Sequence, residues 1–314
     1  MNYEMTMAAE AGELMTAWNL STLEKRFIDF LDAKPKTIET YKRALHPFTK
    51  WTARRGITRP QREDIIAFRE ELSRGGYSPS TIQLYIGTIK KFFAFLSTEG
   101  IYQNISEHIK SAKVSRAFKK DYLTTEQVRN LLESIPPFTK SGARDYALVL
   151  LVVSCGLRTI EIARANVEDI RTVSDFRALY VQGKGRDDKA EYVHIPPKTE
   201  KAIREYLKLR GAVKGNEPLF ASMSNNDKGG RMTTRAISGI IKHYLLKAGL
   251  NSSRLTAHSL RHTAATLARL AGNSLDEVQH FMRHKNITTT ELYNHALNAA
   301  ANKCACSVEE AIGL

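Results

Sequence analysis

The sequence predicts a mainly α-helical protein of two domains, the second with one small antiparallel β-sheet. Three observations support this fold class. Apolar residues recur at three- and four-residue steps along most of the 314 residues. Two short runs of strand character flank a glycine-rich turn in the second half. An aperiodic basic stretch, residues 110–120, separates the two halves and is the expected linker.

The first domain is predicted to be a four-helix bundle over residues 20–109, after an N-terminal tail of residues 1–19. The helices are expected over 21–31, 36–54, 62–73 and 79–96. Ser78-Pro79 is a typical helix start, and Gly56, Gly75-Gly76 and Gly100 mark helix ends. The aromatic residues of these helices lie on their apolar faces, which favours packing over base stacking.

The second domain is predicted over residues 121–296, followed by a C-terminal tail, 297–314. Thr124 and Gln127 form a capping box before its first helix. Strands are expected over 176–182 and 191–195, with a hairpin at Gly183-Lys184-Gly185-Arg186. The other predicted helices cover 144–154, 159–165, 198–209, 233–248, 259–271, 274–282 and 288–295.

The charge of the chain indicates a polyanionic partner. The formal net charge is +14. Five basic residues without an acidic one occupy the predicted linker: Lys110, Lys113, Arg116, Lys119 and Lys120. A solvated linker is the simpler interpretation of that run, and charge alone does not separate a DNA enzyme from a ribosomal or repressor-like protein.

Cysteine usage and hydropathy indicate a reduced, cytoplasmic compartment. Cys155 lies in an apolar run and is expected in the core, while Cys304 and Cys306 are too close for an ordinary disulfide and too few for a zinc site. The longest apolar run, 147–155, has nine residues and is too short for a membrane span. The first fifteen residues have no signal-peptide pattern.

Several short motifs carry ionisable residues, and each is weak by itself. Arg158 precedes a helix with Glu161 three residues on, so the two share one face. His258 and Arg261 are one turn apart at another helix start, and His284 precedes Tyr293 by nine residues. Taken singly, they are typical of a surface ion pair, satisfied histidines and a packed tyrosine.

Together and in this order, the motifs resemble the tyrosine recombinase (phage integrase-like) family, especially its Xer and transposon-integrase branches. The resemblance covers roughly residues 20–295 and is most specific in "HSLRHTAATLARLAG" and "VQHFMRHKNITTTELYNH". It implies a core-binding SAM-like bundle and a catalytic domain that form a C-shaped clamp on DNA. The family's catalytic set corresponds to Arg158, Lys184, His258, Arg261, His284 and Tyr293.

Two positions depart from the family pattern. Arg283 stands where most relatives have glycine before the histidine, and Ala257 stands where many have proline before His258. Neither change removes a catalytic group. Arg283 is expected to alter DNA contacts or to shift its turn.

The residue types suit metal-free phosphodiester cleavage. The pentacoordinate phosphorane needs fixed cationic donors, which Arg158 and Arg261 supply as planar, permanently charged groups. The resemblance makes Lys184 the acid for the leaving 5′-oxygen, with Lys189 as a second candidate in the same loop. No cofactor or metal is expected.

The remaining roles also follow from the resemblance. Tyr293 is the nucleophile, and its ordinary pKa near ~10 requires a base or strong electrostatics at neutral pH. His258 is the implied proton acceptor and His284 a further phosphate donor, while Glu161 orients Arg158 or His258 or is a plain structural ion pair. The other nearby histidines, His262 and His280, are expected to be structural.

The resemblance implies double-stranded DNA sites and three further copies of the chain as partners, with strand exchange through a Holliday junction. Phosphate contacts come from the basic linker, and base contacts come from helices that carry Arg43, Lys90 and Lys91. The tail is implied to dock on a neighbouring protomer. Integration of a mobile element and Xer-like dimer resolution both remain open. The rival functions are a type IB topoisomerase and a non-catalytic DNA-binding regulator.

Overall fold

The computed structural model describes residues 20–113, 121–183, 185–225, 227–284 and 286. The chain divides into two compact units, Met1–Arg116 and Ala117–Leu314. Both are mainly helical, and the second contains a small antiparallel sheet. This confirms the predicted fold class.

The first unit is built from four helices: α1 (Leu20–Phe30), α2 (Pro35–Arg54), α3 (Arg62–Arg74) and α4 (Pro79–Thr98). The Ser78 hydroxyl accepts a hydrogen bond from the Thr81 backbone N–H and caps α4, as predicted. Gly56 follows α2 with φ +65°, a conformation that glycine adopts without steric cost.

Aromatic side chains fill the centre of this bundle. Phe48, Phe92 and Phe93 have no exposed surface. Phe48 contacts Phe68 and Phe93 edge to face, with ring centroids 5.3 Å and 6.2 Å apart. The aromatic stripes are therefore packing surfaces, as the sequence predicts.

The second unit contains seven α-helices in its described residues: α5 (Thr125–Glu133), α6 (Lys140–Cys155), α7 (Thr159–Arg164), α8 (Pro197–Arg210), α9 (Thr234–Lys247), α10 (Ala257–Leu270) and α11 (Leu275–Met282). Thr124 and Gln127 cap α5 reciprocally, which confirms the predicted capping box. The predicted helix over 288–295 lies outside the described residues.

The sheet has one more strand than the sequence predicts. The order is β1 (Ile170–Val173), β2 (Phe176–Val181), β3 (Glu191–His194), all antiparallel. Ile170 pairs with Leu179, and Leu179 pairs with Val193. Strand β1 is four residues long with Arg171 and Thr172 exposed, so it is too short and too polar to show strand periodicity.

Helix α6 is the centre of the second core and packs against α8 and α10. Its buried face includes Leu148, Leu151 and Val152, none of which has exposed surface. Cys155 ends α6 fully buried, and burial raises the pKa of its thiol to about 12. It is a core residue, as predicted. In the described part of the chain no helix has the length and apolarity that a membrane crossing requires.

Candidate active site

A tight turn after α6 brings the first site residues to the end of another helix. Gly156 takes φ +59°, and a Cβ built on it would lie 2.8 Å from Met282 Sδ. A larger residue at this position would be strained in its backbone and would force Met282 to move. The turn delivers Arg158 to the N-cap of α7, as the sequence predicts.

Glu161 holds Arg158 at two points. One carboxylate oxygen accepts the Arg158 backbone N–H at 2.8 Å, and the other lies 2.7 Å from Arg158 Nη1. Arg158 Nη2 also donates to the Arg283 carbonyl at 3.2 Å. Glu161 is fully buried, whereas 29% of the Arg158 side chain is exposed. The guanidinium is therefore oriented from behind while one side faces solvent.

Helix α10 contributes the second arginine. Arg261 is only 2% exposed and donates to the carbonyls of Gly156 and Met282. These carbonyls belong to the turn after α6 and to the end of α11. Arg261 thus ties together the three segments that carry Arg158, His258 and His284.

His262, which the sequence predicts to be structural, lies next to His258 on α10. Its ring meets that of His258 edge to face, with centroids 4.4 Å apart. Burial, followed by the nearby His258 and Arg261, lowers the pKa of His262 to about 4. The four-residue spacing of the two histidines on α10 was the available signal.

His284 follows α11 and is fixed through its backbone. Its N–H donates to the Gln279 carbonyl at 3.1 Å, and its carbonyl accepts from Gln279 Nε2 at 3.2 Å. Burial lowers the pKa of His284 to about 3, with further lowering by Arg261 and Arg158. The imidazole is therefore neutral at pH 7 and lies close to both arginines.

A groove of about 780 Å³ opens beside these groups. Its lining includes Arg158, His258 and Arg261, together with two cations of α9 that the sequence analysis did not identify, Arg235 and Lys242. Lys242 Nζ donates to the Ser252 carbonyl at 2.7 Å, so it supports the loop before α10. Arg235 is exposed in the first turn of α9.

The structure describes one of the two lysine candidates of the β2–β3 loop, Lys189. Lys189 Nζ lies 2.5 Å from a carboxylate oxygen of Asp169, whose side chain is 3% exposed. This buried carboxylate already neutralises Lys189. Lys184 and Tyr293 lie outside the described residues.

Five of the eight predicted DNA-binding residues are described, and all five are exposed or half-buried. Arg43 on α2 and Lys91 on α4 are exposed, and Lys90 is half-buried. Lys91 Nζ lies 5.3 Å from the ring centroid of Tyr41. Lys110 and Lys113 are also exposed, while Arg116, Lys119 and Lys120 lie outside the described residues.

The comparisons with known proteins cover both units. Residues 121–299 match the phage integrase family, and residues 25–100 match the phage integrase N-terminal SAM-like domain. The tyrosine recombinase XerC of Herpetosiphon aurantiacus is 33% identical over 278 residues, which cover 85% of this chain and 87% of that protein.

Solved recombinase structures share the fold. The XerH site-specific recombinase, solved with a palindromic difH substrate after cleavage, gives a TM-score of 0.70 at 23% identity, covering 90% of this chain and 84% of XerH. A lambda integrase tetramer, solved on a Holliday junction, gives 0.66 at 18% identity, covering 89% and 76%. With the family match over more than half of its length, the chain belongs to the phage integrase family of tyrosine recombinases.

Proposed function

We propose that the chain cuts and rejoins double-stranded DNA at specific sites through a covalent link between Tyr293 and the 3′-phosphate of the break. The observation that carries this proposal is that Arg158, Arg261 and His258 line one open groove. The neutral imidazoles of His262 and His284 lie near the same arginines. Fixed guanidinium groups in a partly buried site stabilise the charge that develops on a phosphorane.

The cleavage step balances with side chains alone. The Tyr293 oxygen attacks phosphorus and forms the phosphotyrosyl bond, while the bond from phosphorus to the 5′-oxygen breaks. The tyrosine proton passes to His258, and Lys184 protonates the departing 5′-oxygen. Arg158 and Arg261 bind the non-bridging oxygens throughout.

Lys184 is the preferred general acid because the other candidate, Lys189, is already paired with Asp169. The Asp169 carboxylate holds Lys189 in an ion pair, and moving that ammonium to a leaving group would leave a buried carboxylate unpaired. Glycines flank Lys184 on both sides in the β2–β3 loop, which permits a close approach to DNA.

His284 suits a donor to the phosphate rather than a charged partner. A neutral imidazole carries one N–H donor and does not repel the neighbouring guanidinium groups. When the scissile phosphate, bound between Arg158 and Arg261, reaches the transition state, its non-bridging oxygens gain negative charge. This charge strengthens the hydrogen bond that the imidazole N–H donates.

Rejoining by a 5′-hydroxyl from another duplex converts cleavage into recombination. The phosphotyrosine preserves the bond energy, so no nucleotide cofactor is needed. We propose four protomers on two duplexes, exchange of one strand pair, a Holliday junction, and exchange of the second pair. We also place the enzyme in the cytoplasm, since its cysteine usage fits a reduced compartment.

A nicked suicide substrate and a two-site plasmid test this proposal together. The substrate loses its 5′-hydroxyl fragment after cleavage and should trap a covalent protein–DNA adduct, and two sites on one plasmid should yield exchange products. Relaxation of a one-site plasmid without exchange would identify a type IB topoisomerase. A band shift without any adduct would identify a DNA-binding regulator and refute the proposal.

A further inference from the structure

Arg283 occupies a backbone position that normally belongs to glycine. Helix α11 ends in a Schellman motif, in which the His284 N–H donates to the Gln279 carbonyl and the Arg283 N–H donates to the His280 carbonyl. This geometry puts Arg283 in the left-handed region, at φ +52°. A residue with a Cβ is disfavoured there by roughly 1–2 kcal/mol.

The Arg283 side chain folds inward, where it makes specific contacts. Only 6% of it is exposed. Its Nη2 lies 2.9 Å from a Glu161 carboxylate oxygen, and its Nη1 donates to the Phe281 carbonyl at 2.8 Å. Strained positions of this kind persist where the surroundings fix them, and they concentrate at functional sites.

The same Glu161 oxygen that binds Arg283 also accepts the Arg158 backbone N–H, and the other oxygen binds Arg158 Nη1. The Arg283 carbonyl in turn accepts from Arg158 Nη2. Arg158 and Arg283 are therefore joined twice, once through the carboxylate and once through the backbone of the strained residue.

We propose that Arg283 is a positioning residue: its buried guanidinium fixes Glu161, and Glu161 with the Arg283 carbonyl fixes the Arg158 guanidinium toward the scissile phosphate. The inference rests on the proposed role of Arg158. It replaces the expectation of a changed DNA contact, because the side chain is directed away from solvent and into the Glu161 ion pair.

Electrostatics support this arrangement. Burial pushes the pKa of Glu161 upward, and the charge of Arg283 together with the hydrogen bonds and charge of Arg158 outweighs it, so the pKa lies below its ordinary value. An ionised Glu161 carboxylate accepts both hydrogen bonds from Arg158, one from the backbone N–H and one from the guanidinium. Removing the Arg283 side chain takes away one of the positive charges that stabilise the fully buried Glu161 carboxylate.

Arg283→Gly is the informative variant because glycine suits the backbone conformation and removes only the side chain. We expect single-turnover cleavage at saturating DNA to fall about 10- to 100-fold, with the half-site dissociation constant within about twofold of wild type. Ser174→Gly is the matched control, since Ser174 also has a positive φ of 52° but lies in the β1–β2 turn. It should cleave at the wild-type rate.

The pair Arg283→Lys and Arg283→Gln keeps the wild-type backbone strain and differs in charge. We expect the lysine variant, but not the glutamine variant, to recover part of the cleavage rate. This comparison tests the role of the positive charge even if the glycine variant melts below the assay temperature. Equal rates for lysine and glutamine would overturn the proposal.

A double-mutant cycle with Glu161→Gln tests the route of the effect. If Arg283 acts through Glu161, the double variant Glu161→Gln/Arg283→Gly cleaves no more slowly than Glu161→Gln alone. Fully additive losses would show that Arg283 acts independently and would refute the proposal. Wild-type protein that forms no adduct would instead refute the proposed function itself.

Discussion

The rings of His258 and His262 meet edge to face on α10, with their centroids 4.4 Å apart. His262 is half-buried beside Arg261, and His284 lies near the same guanidinium at the end of α11. Two imidazoles therefore lie next to fixed positive charge and stay neutral in the folded protein.

Acid should destabilise the protein through these two histidines. Their folded pKa values, about 4 for His262 and about 3 for His284, lie below the ordinary 6.5. Below pH 6.5 the unfolded chain binds protons that the folded chain does not. The free energy of unfolding is thus at its full value above pH 6.5 and falls as the pH drops toward 4.

Thermal melts between pH 7.5 and 4.5 measure this effect. His262→Asn and His284→Asn should each reduce the fall in melting temperature with acid. His280→Asn is the control, since 81% of the His280 side chain is exposed, and its profile should match wild type. A wild-type profile for both the His262 and the His284 variant would contradict the assigned pKa directions.

Local sequence patterns foresaw the positions of several site residues. Arg158 at the N-cap of α7, His258 at the start of α10 and Thr124 at the N-cap of α5 all follow from capping and periodicity. Such signals depend only on residues within one helical turn, so the local sequence is enough to predict them.

Local patterns could not predict contacts between residues that are far apart in the sequence. The inward path of Arg283 depends on Glu161, which precedes it by 122 residues. The depressed pKa of His262 depends on burial, which periodicity does not measure. The reason for a glycine at position 156 is visible only in the structure, where a Cβ at this position would clash with Met282.

The leaving-group acid can be identified chemically. Lys184→Ala should nearly stop cleavage of ordinary DNA, and a substrate with a 5′-bridging phosphorothioate, whose sulfur leaves without a proton, should restore it. Lys189→Ala is the matched control from the same loop, and the rate of adduct formation is the readout. Rescue of Lys189→Ala instead would make Lys189 the acid.

Cleavage should need neither divalent metal nor ATP. The proposed charges are all side chains, and in the described residues no three or more of the metal-binding types His, Cys, Asp and Glu come together. Adduct formation in excess EDTA, without nucleotide, should match that in buffer with Mg²⁺. A strict Mg²⁺ requirement would favour a metal-assisted mechanism.

The C-terminal tail should couple assembly to catalysis. Val308, Ala311, Ile312 and Leu314 recur at helical steps, and so short a helix needs a packing partner. Deleting residues 303–314 should preserve binding to a half-site, weaken cooperative binding to paired sites and lower recombination. Gel-shift titrations and the two-site plasmid measure both, and full recombination by the truncated chain would show that the tail is dispensable.

The proposed recombination depends on covalent attachment of Tyr293 to DNA. The direct measurement is mass spectrometry of the nucleotide-linked peptide after proteolysis of the adduct trapped on a suicide substrate, with Tyr293→Phe as the paired variant. We expect the wild-type peptide to carry the phosphotyrosyl link at Tyr293, and the phenylalanine variant to bind DNA normally and form no adduct. An adduct that persists in Tyr293→Phe, or that maps to Tyr244 or Tyr206, would show that Tyr293 is not the nucleophile.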